Sequence, residues 1–331
     1  RTEDWNHVLA ALETPSESDE RLRTALPASS EYTRYLKISE GCGNRCTYCA
    51  IPAIRGPLRS LPIDVIVKEA SMLVEEGAKE LCLVGQDLTV YGSDDGGSPK
   101  LFELLDALES SLPRDIWLRL LYLHPSRVDT KLLERVAAGR QILPYLDIPV
   151  QHGDPEILAA MNRGISSSAL RSIFTTARKI NPDFALRTTC MVGFPGEKSK
   201  HFINLMRFVE EIRFDRMGAF TFYPEEGTPA AEMEGQVSER TKKNRLDTLM
   251  NLQEEISEER QQKFIGRTLK VLVENVFPDE GIAEGRSFRE APEVDGLVEI
   301  HEIRKDLREG DFINVRIREA MPHDLIGEEI K

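Results

Sequence analysis

The chain has 331 residues, 40% hydrophobic and 30% charged, which at roughly 150 residues per domain leaves room for about two well-cored domains. No run approaches the roughly 18 uninterrupted apolar residues of a membrane helix, and no apolar signal follows the opening Arg1-Thr2-Glu3-Asp4, which argues against a helical membrane protein. With 43 Lys and Arg against 56 Asp and Glu, the net charge of −13 argues against holding nucleic acid mainly through its phosphates.

Residues 1–33 read as a leading segment, with a short helix through Val8, Leu9 and Leu12 and a polar break over Pro15–Glu20. The lack of an initiating Met makes a fragment of a longer protein the expectation. From Tyr35 strands and helices alternate. Strands are predicted at 35–39, 80–84, 117–121, 145–148, 186–192 and 217–222. Helices are predicted near 64–76, 101–110, 129–138, 155–161, 168–180 and 199–212, with Asp64 and Asp129 as N-caps. Six such units imply parallel pairing and an α/β fold, either an open doubly wound sheet or most of a barrel. A Pro/Gly/acidic stretch at Tyr223–Pro229 precedes a long charged helix over 238–263, with Leu246, Leu249, Met250 and Ile256 as its apolar stripe. Beyond Gly266, alternation at Leu269, Val271, Val273 and at Ile313, Val315, Ile317 predicts about five short strands, a small antiparallel OB-like barrel.

Cysteines are the most informative residues. Cys42, Cys46 and Cys49 fall within eight residues just beyond the first strand, whereas Cys82 and Cys190 sit in strand patterns and read as small core residues. This odd, clustered set is a poor disulfide framework and suits cofactor ligation in a reducing compartment, so a cytoplasmic location is expected. Three thiolates at C-x₃-C-x₂-C spacing can wrap a [4Fe–4S] cube and leave one iron open. A zinc knuckle would need a fourth ligand, and neither a second C-x₂-C arm nor any His before His124 follows Cys49.

With Tyr48 in its aromatic slot, this motif resembles the radical S-adenosylmethionine (SAM) superfamily. The stretches Glu40–Pro52, Arg55–Ser60, Val192–Glu197 and Gly227–Ala231 are similar to the methylthiotransferases, and the C-terminal small barrel is similar to their TRAM domain. The resemblance implies a partial (β/α)₆ TIM-like barrel over 34–236, a connecting helix over 237–263 and a TRAM domain over 264–331. It also implies that SAM chelates the open iron and, on reduction, yields a 5′-deoxyadenosyl radical that abstracts hydrogen from an unactivated carbon. An electron donor such as flavodoxin or ferredoxin is implied as a partner. The family carries an N-terminal domain with a second [4Fe–4S] cluster, the site of sulfur transfer. Residues 1–33 are then expected to be the remnant of a linker from that domain, and this sequence alone to cleave SAM without completing methylthiolation.

Two branches of the family compete, one acting on an adenosine of tRNA and one on an aspartate of ribosomal protein S twelve. From Phe264 to Lys331 there are 10 Lys and Arg against 16 Asp and Glu. A barrel that clamps tRNA should be basic, whereas an acidic one fits a basic ribosomal protein. The stretches Arg119–Pro125, Asp147–His152 and Ala291–Gly296, and the two acids of Tyr223–Gly227, resemble the ribosomal-protein branch. A non-catalytic, zinc-stabilised binding protein is the alternative of a different class.

Further candidates lie where strands end. Gly85, Gln86 and Asp87 follow the second strand, as SAM contacts or as a strand-exit turn with a helix cap. Gln151 and His152 follow the fourth strand as pocket polar groups. Arg187, in the fifth strand, is a candidate for SAM or a substrate carboxylate, or for a structural ion pair. Gly193 and Gly196 bracket a turn whose backbone could lie against SAM. His124, His201, His301 and His323 are scattered singly and receive no role, and Glu255, Glu258 and Glu259 read as a solvated helix face.

Overall fold

The computed structural model describes residues 31–94 and 96–330; the expected short helix near Val8 lies outside them. Six parallel strands form the larger unit: β1 (Thr33–Lys37), β4 (Glu80–Val84), β5 (Trp117–Leu120), β6 (Tyr145–Asp147), β7 (Ala185–Val192) and β8 (Arg216–Thr221). They pair in two sets, β1-β4-β5 and β6-β7-β8. A bridge at Leu118–Ile142, with Leu118 N donating to Gln141 O at 2.8 Å, joins the sets. No pairing joins β8 to β1 among the described residues, so this is the partial barrel rather than the open doubly wound sheet. Two short strands, β2 (Ser39–Glu40) and β3 (Arg59–Ser60), make an antiparallel ladder outside it.

Helices follow the strands at Ile63–Glu75, Leu101–Ser111, Thr130–Ala138, Pro155–Ala160 with Ser167–Ile180, and Ser199–Ile212. Their apolar faces cover the outward strand residues, Leu81 and Leu83 against Leu104 and Leu105 among others, in one continuous core. Asp129 caps its helix as expected, accepting a hydrogen bond from Leu132 N at 2.9 Å. Asp64 does not. That helix starts one residue earlier, behind an extended Pro62, and leaves Asp64 inside the first turn, where its charge faces the positive helix end.

The long helix Glu239–Gln262 crosses β8 and carries the chain into the second unit. Its buried face holds the expected Leu249 and Ile256, but also Lys242, Arg245, Gln253 and Arg260. The small barrel is closed in the order β10-β11-β13-β12-β9, from β9 (Thr268–Phe277), β10 (Ile282–Arg286), β11 (Val298–His301), β12 (Phe312–Ala320) and β13 (Leu325–Glu329). The expectation of an antiparallel barrel needs one correction: β11 and β13 run parallel. Closing five strands with the fifth between the third and fourth forces that pair, which is the Greek-key arrangement of an OB-type barrel.

The small barrel seals the N-terminal ends of the large one. Leu272 and Ala291 pack against Cys82, Trp117, Tyr145 and Ala185, which face inward from the strands. Arg119 donates to the carbonyls of Phe288 and Ser287, and Arg286 reaches back to Thr33 and Glu80. The opposite ends of the strands are left free for chemistry, as in other β/α barrels.

Candidate metal centre

At the free end the chain leaves β2 through Gly41, whose φ of +80° belongs to the left-handed region. A Cβ there would lie 2.1 Å from the Pro57 carbonyl oxygen, so glycine lets the two backbone segments close up. Cys42 N donates to Gly56 O at 3.1 Å and begins the cysteine loop. The end of helix Pro155–Ala160 supports the loop, as Thr47 N and Oγ1 donate to the carbonyls of Met161 and Ala160, and Asn162 Nδ2 to Arg45 O. Asp87 ties down its far side. It accepts from Asn44 Nδ2 at 2.9 Å and from Arg127 Nη1 at 2.8 Å, and it caps the turn after β4 through Thr89 N.

Cys42, Cys46 and Cys49 line one cavity of about 430 Å³, a size suited to a small cofactor. Tyr48, Gly85, Gln86 and Gln151 share that lining, so the structure brings together seven of the twelve predicted site residues. Four lining side chains carry a buried polar atom without a protein partner: Gln86 Oε1, His124 Nε2, Gln151 Oε1 and Arg163 Nε. Buried polar atoms are nearly always satisfied, so this concentration fits a polar ligand such as SAM. Tyr122 and Gln151 adopt positive φ, 65° and 69°, a conformation uncommon for non-glycine residues.

The three thiols also suit a multi-iron cluster. A cube spreads its ligands over separate corners, and the three thiols line one cavity. Burial pushes the Cys42 and Cys49 thiols above their ordinary range, so a bound metal centre is what would hold them as thiolates. Burial likewise raises the phenol of Tyr48, which packs beside Met161, Met191 and Phe194 over the loop.

The other predicted residues lie elsewhere. Arg187 pairs with Asp147 at 2.9 Å and Asp295 at 3.5 Å and faces a second cavity of about 420 Å³ between β8, the long helix and the small barrel. Gly193 packs against the long helix, where a Cβ would come within 2.3 Å of Lys242 Cγ, and Gly196 stays outside the cysteine cavity. His152 is fully buried, accepts from Asp154 N at 2.9 Å and lies outside the cysteine cavity. Cys82 and Cys190 are fully buried, as expected of core residues.

Sequence reasoning missed His124 and Arg163. Burial, followed by the nearby Arg163 and Arg127, pushes the His124 imidazole down to about 3 and keeps it neutral at pH 7. Its Nδ1 meets Ser126 at 2.8 Å, which leaves Nε2 for the cavity. Nothing local marks Arg163, since its sulfur neighbour is 117 residues away in the chain.

Comparison with known proteins agrees with this geometry. Residues 36–209 match the radical SAM superfamily and residues 265–330 the TRAM domain. The chain is 45% identical over 304 residues to the ribosomal protein uS12 methylthiotransferase RimO of Desulforamulus reducens, covering 92% of this chain and 68% of that protein. The Geobacter sulfurreducens protein of the same name is 40% identical over 343 residues, covering 99% and 76%. Among solved structures, the coproporphyrinogen III oxidase HemN of Escherichia coli, a radical SAM enzyme, shares the fold with a TM-score of 0.54 at 15% identity, over 74% of this chain and 57% of that one.

Proposed function

The chain belongs to the radical SAM superfamily and, within it, to the ribosomal protein uS12 methylthiotransferases, and from that premise we propose that it adds a methylthio group to the β-carbon of an aspartate of uS12. The observation that carries this reading is the cavity in which three cysteines meet four unsatisfied polar side chains at the open end of the barrel. A [4Fe–4S] cluster bound here would supply reductive SAM cleavage and hydrogen abstraction. Cys42, Cys46 and Cys49 hold the cluster. The Gln86 and Gln151 carbonyls can accept from the SAM amino or ribose groups, and Tyr48 excludes water from the cluster.

Arg187 and Gly193 keep their candidacy as indirect contributors, through Asp147, which accepts from Tyr122 N, and through the turn after β7. The acidic small barrel is the proposed contact for the basic uS12, and its excess of acids disfavours tRNA. A low-potential donor, flavodoxin or ferredoxin, would deliver the electron in the cytoplasm. With Cys82 and Cys190 buried in strands, a second [4Fe–4S] cluster for sulfur transfer would draw its thiols from outside these 331 residues. Among the described residues no helix is long and apolar enough to cross a membrane.

Hydrogen abstraction can be tested apart from sulfur insertion. The reconstituted protein is given SAM, dithionite and uS12 deuterated at its aspartate β-carbons, and the 5′-deoxyadenosine is analysed by mass spectrometry. Deuterium in that product is the expected result. Its absence with uS12, together with transfer from deuterated tRNA, would contradict the reading.

A further inference from the structure

Arg163 stands apart from the other buried arginines. Arg119 pairs with Glu80 at 2.6 Å, Arg286 with Glu80 at 2.7 Å, Arg216 with Glu290 at 3.1 Å and Arg289 with Asp215 at 3.6 Å. Arg163 is only 5% exposed, yet among the described residues no carboxylate pairs with it. Its Nη2 donates to Pro149 O at 2.6 Å, its Nη1 lies 3.4 Å from Cys46 Sγ, and its Nε has no partner. A buried guanidinium stays charged, and leaving that charge uncompensated is costly. Such an arginine implies an anion beside it, and the group it touches is a cluster cysteine.

We propose that Arg163 is a positioning residue that supplies the countercharge to the iron–sulfur cluster at Cys46 and thereby sets how readily the cluster takes up an electron. This inference rests on the reading that Cys42, Cys46 and Cys49 hold a [4Fe–4S] cluster. When one electron arrives from a low-potential donor, no bond forms or breaks, and the centre becomes one unit more negative. A fixed cation in hydrogen-bond contact with a cluster sulfur favours that more negative state. The Pro149 carbonyl holds the guanidinium in place, and the neighbouring Asn162 fastens the same loop through Arg45 O. Residues 162 and 163 thus fix the loop and its charge together.

The test compares the wild type with Arg163→Lys and Arg163→Met, each reconstituted anaerobically with iron and sulfide. Iron per chain, the midpoint potential from an EPR-monitored dithionite titration, and SAM affinity of the oxidised protein are measured. Arg163→Met is expected to keep its iron while the ratio of reduced to oxidised cluster at a fixed potential falls about tenfold, ~59 mV for a one-electron couple. Arg163→Lys should recover most of that loss, because it keeps the charge.

An unchanged midpoint in Arg163→Met would overturn the proposal, and weakened SAM binding alongside it would reassign Arg163 to the SAM carboxylate. Loss of iron from both variants would overturn it too, by making the residue a fastening for the loop. A wild type that takes up no iron would instead refute the cluster reading on which the proposal stands.

Discussion

Gly41 shows how far a single position controls the metal loop. Its positive φ and the Pro57 carbonyl in the place of its Cβ leave alanine no room without moving the backbone next to Cys42. Gly41→Ala is expected to cost about 1–3 kcal/mol of stability and to lower the iron bound per chain after reconstitution. Thermal unfolding and iron analysis of the same samples check this, and wild-type values in both would refute the role given to Gly41. The cysteine motif was legible because three ligands share one loop. Arg163 and Asn44 were not, because each acts through partners brought near only by the barrel, such as Asp87 for Asn44, 43 residues away, and His124 was not, because only the fold turns its Nε2 toward the cavity.

Among elements, the strand–helix alternation read well because a parallel strand covered by helices is short, apolar and bounded by polar turns. The strand predicted at 186–192 is Ala185–Val192, and the helix predicted at 199–212 has those same limits. The helix Ile51–Arg55 and the β2–β3 ladder escaped because so few residues carry no period. The polar face of the long helix escaped for a different reason. Lys242 donates to Phe222 O, Arg245 pairs with Glu197 and Gln253 donates to Phe214 O, so polar residues outside the predicted apolar stripe are internal fasteners, while Glu255, Glu258 and Glu259 are exposed as expected. Asp129→Ala should destabilise the protein by about 1 kcal/mol in urea unfolding with an unchanged denaturant slope, and no loss would show that the cap is idle.

For the whole molecule, Glu80 is the joint between the two barrels. It is fully buried between Arg119 of the large barrel and Arg286 of the small one, and it also accepts from Thr33. Burial alone would raise its carboxyl, but the two guanidinium groups outweigh burial and hold it below the ordinary range. Asp215 is held down in the same way by Arg289, Arg178 and Arg260. Both carboxyls are depressed in the folded state, so the stability they contribute is complete above the unfolded-state value near pH ~4 and is lost as pH falls through the lower folded-state values. Glu80→Gln leaves buried Arg119 without a carboxylate and Arg286 with Glu274 alone. It should cost about 3–5 kcal/mol and flatten the loss of stability in acid, as read by unfolding from pH 7 downward. A variant as stable as the wild type, with the same acid profile, would contradict this account. Fastening the small barrel at the closed end in this way leaves the cysteine end free for SAM and substrate.

On the proposed function, the three-cysteine cavity holds a SAM-binding cluster with an open iron. The most direct test is anaerobic reconstitution with iron and sulfide, followed by iron analysis and EPR of the reduced protein with and without SAM. About four irons per chain and a signal that changes when SAM is added are expected. Tightly bound zinc, or a cluster whose signal ignores SAM, would contradict the proposed function.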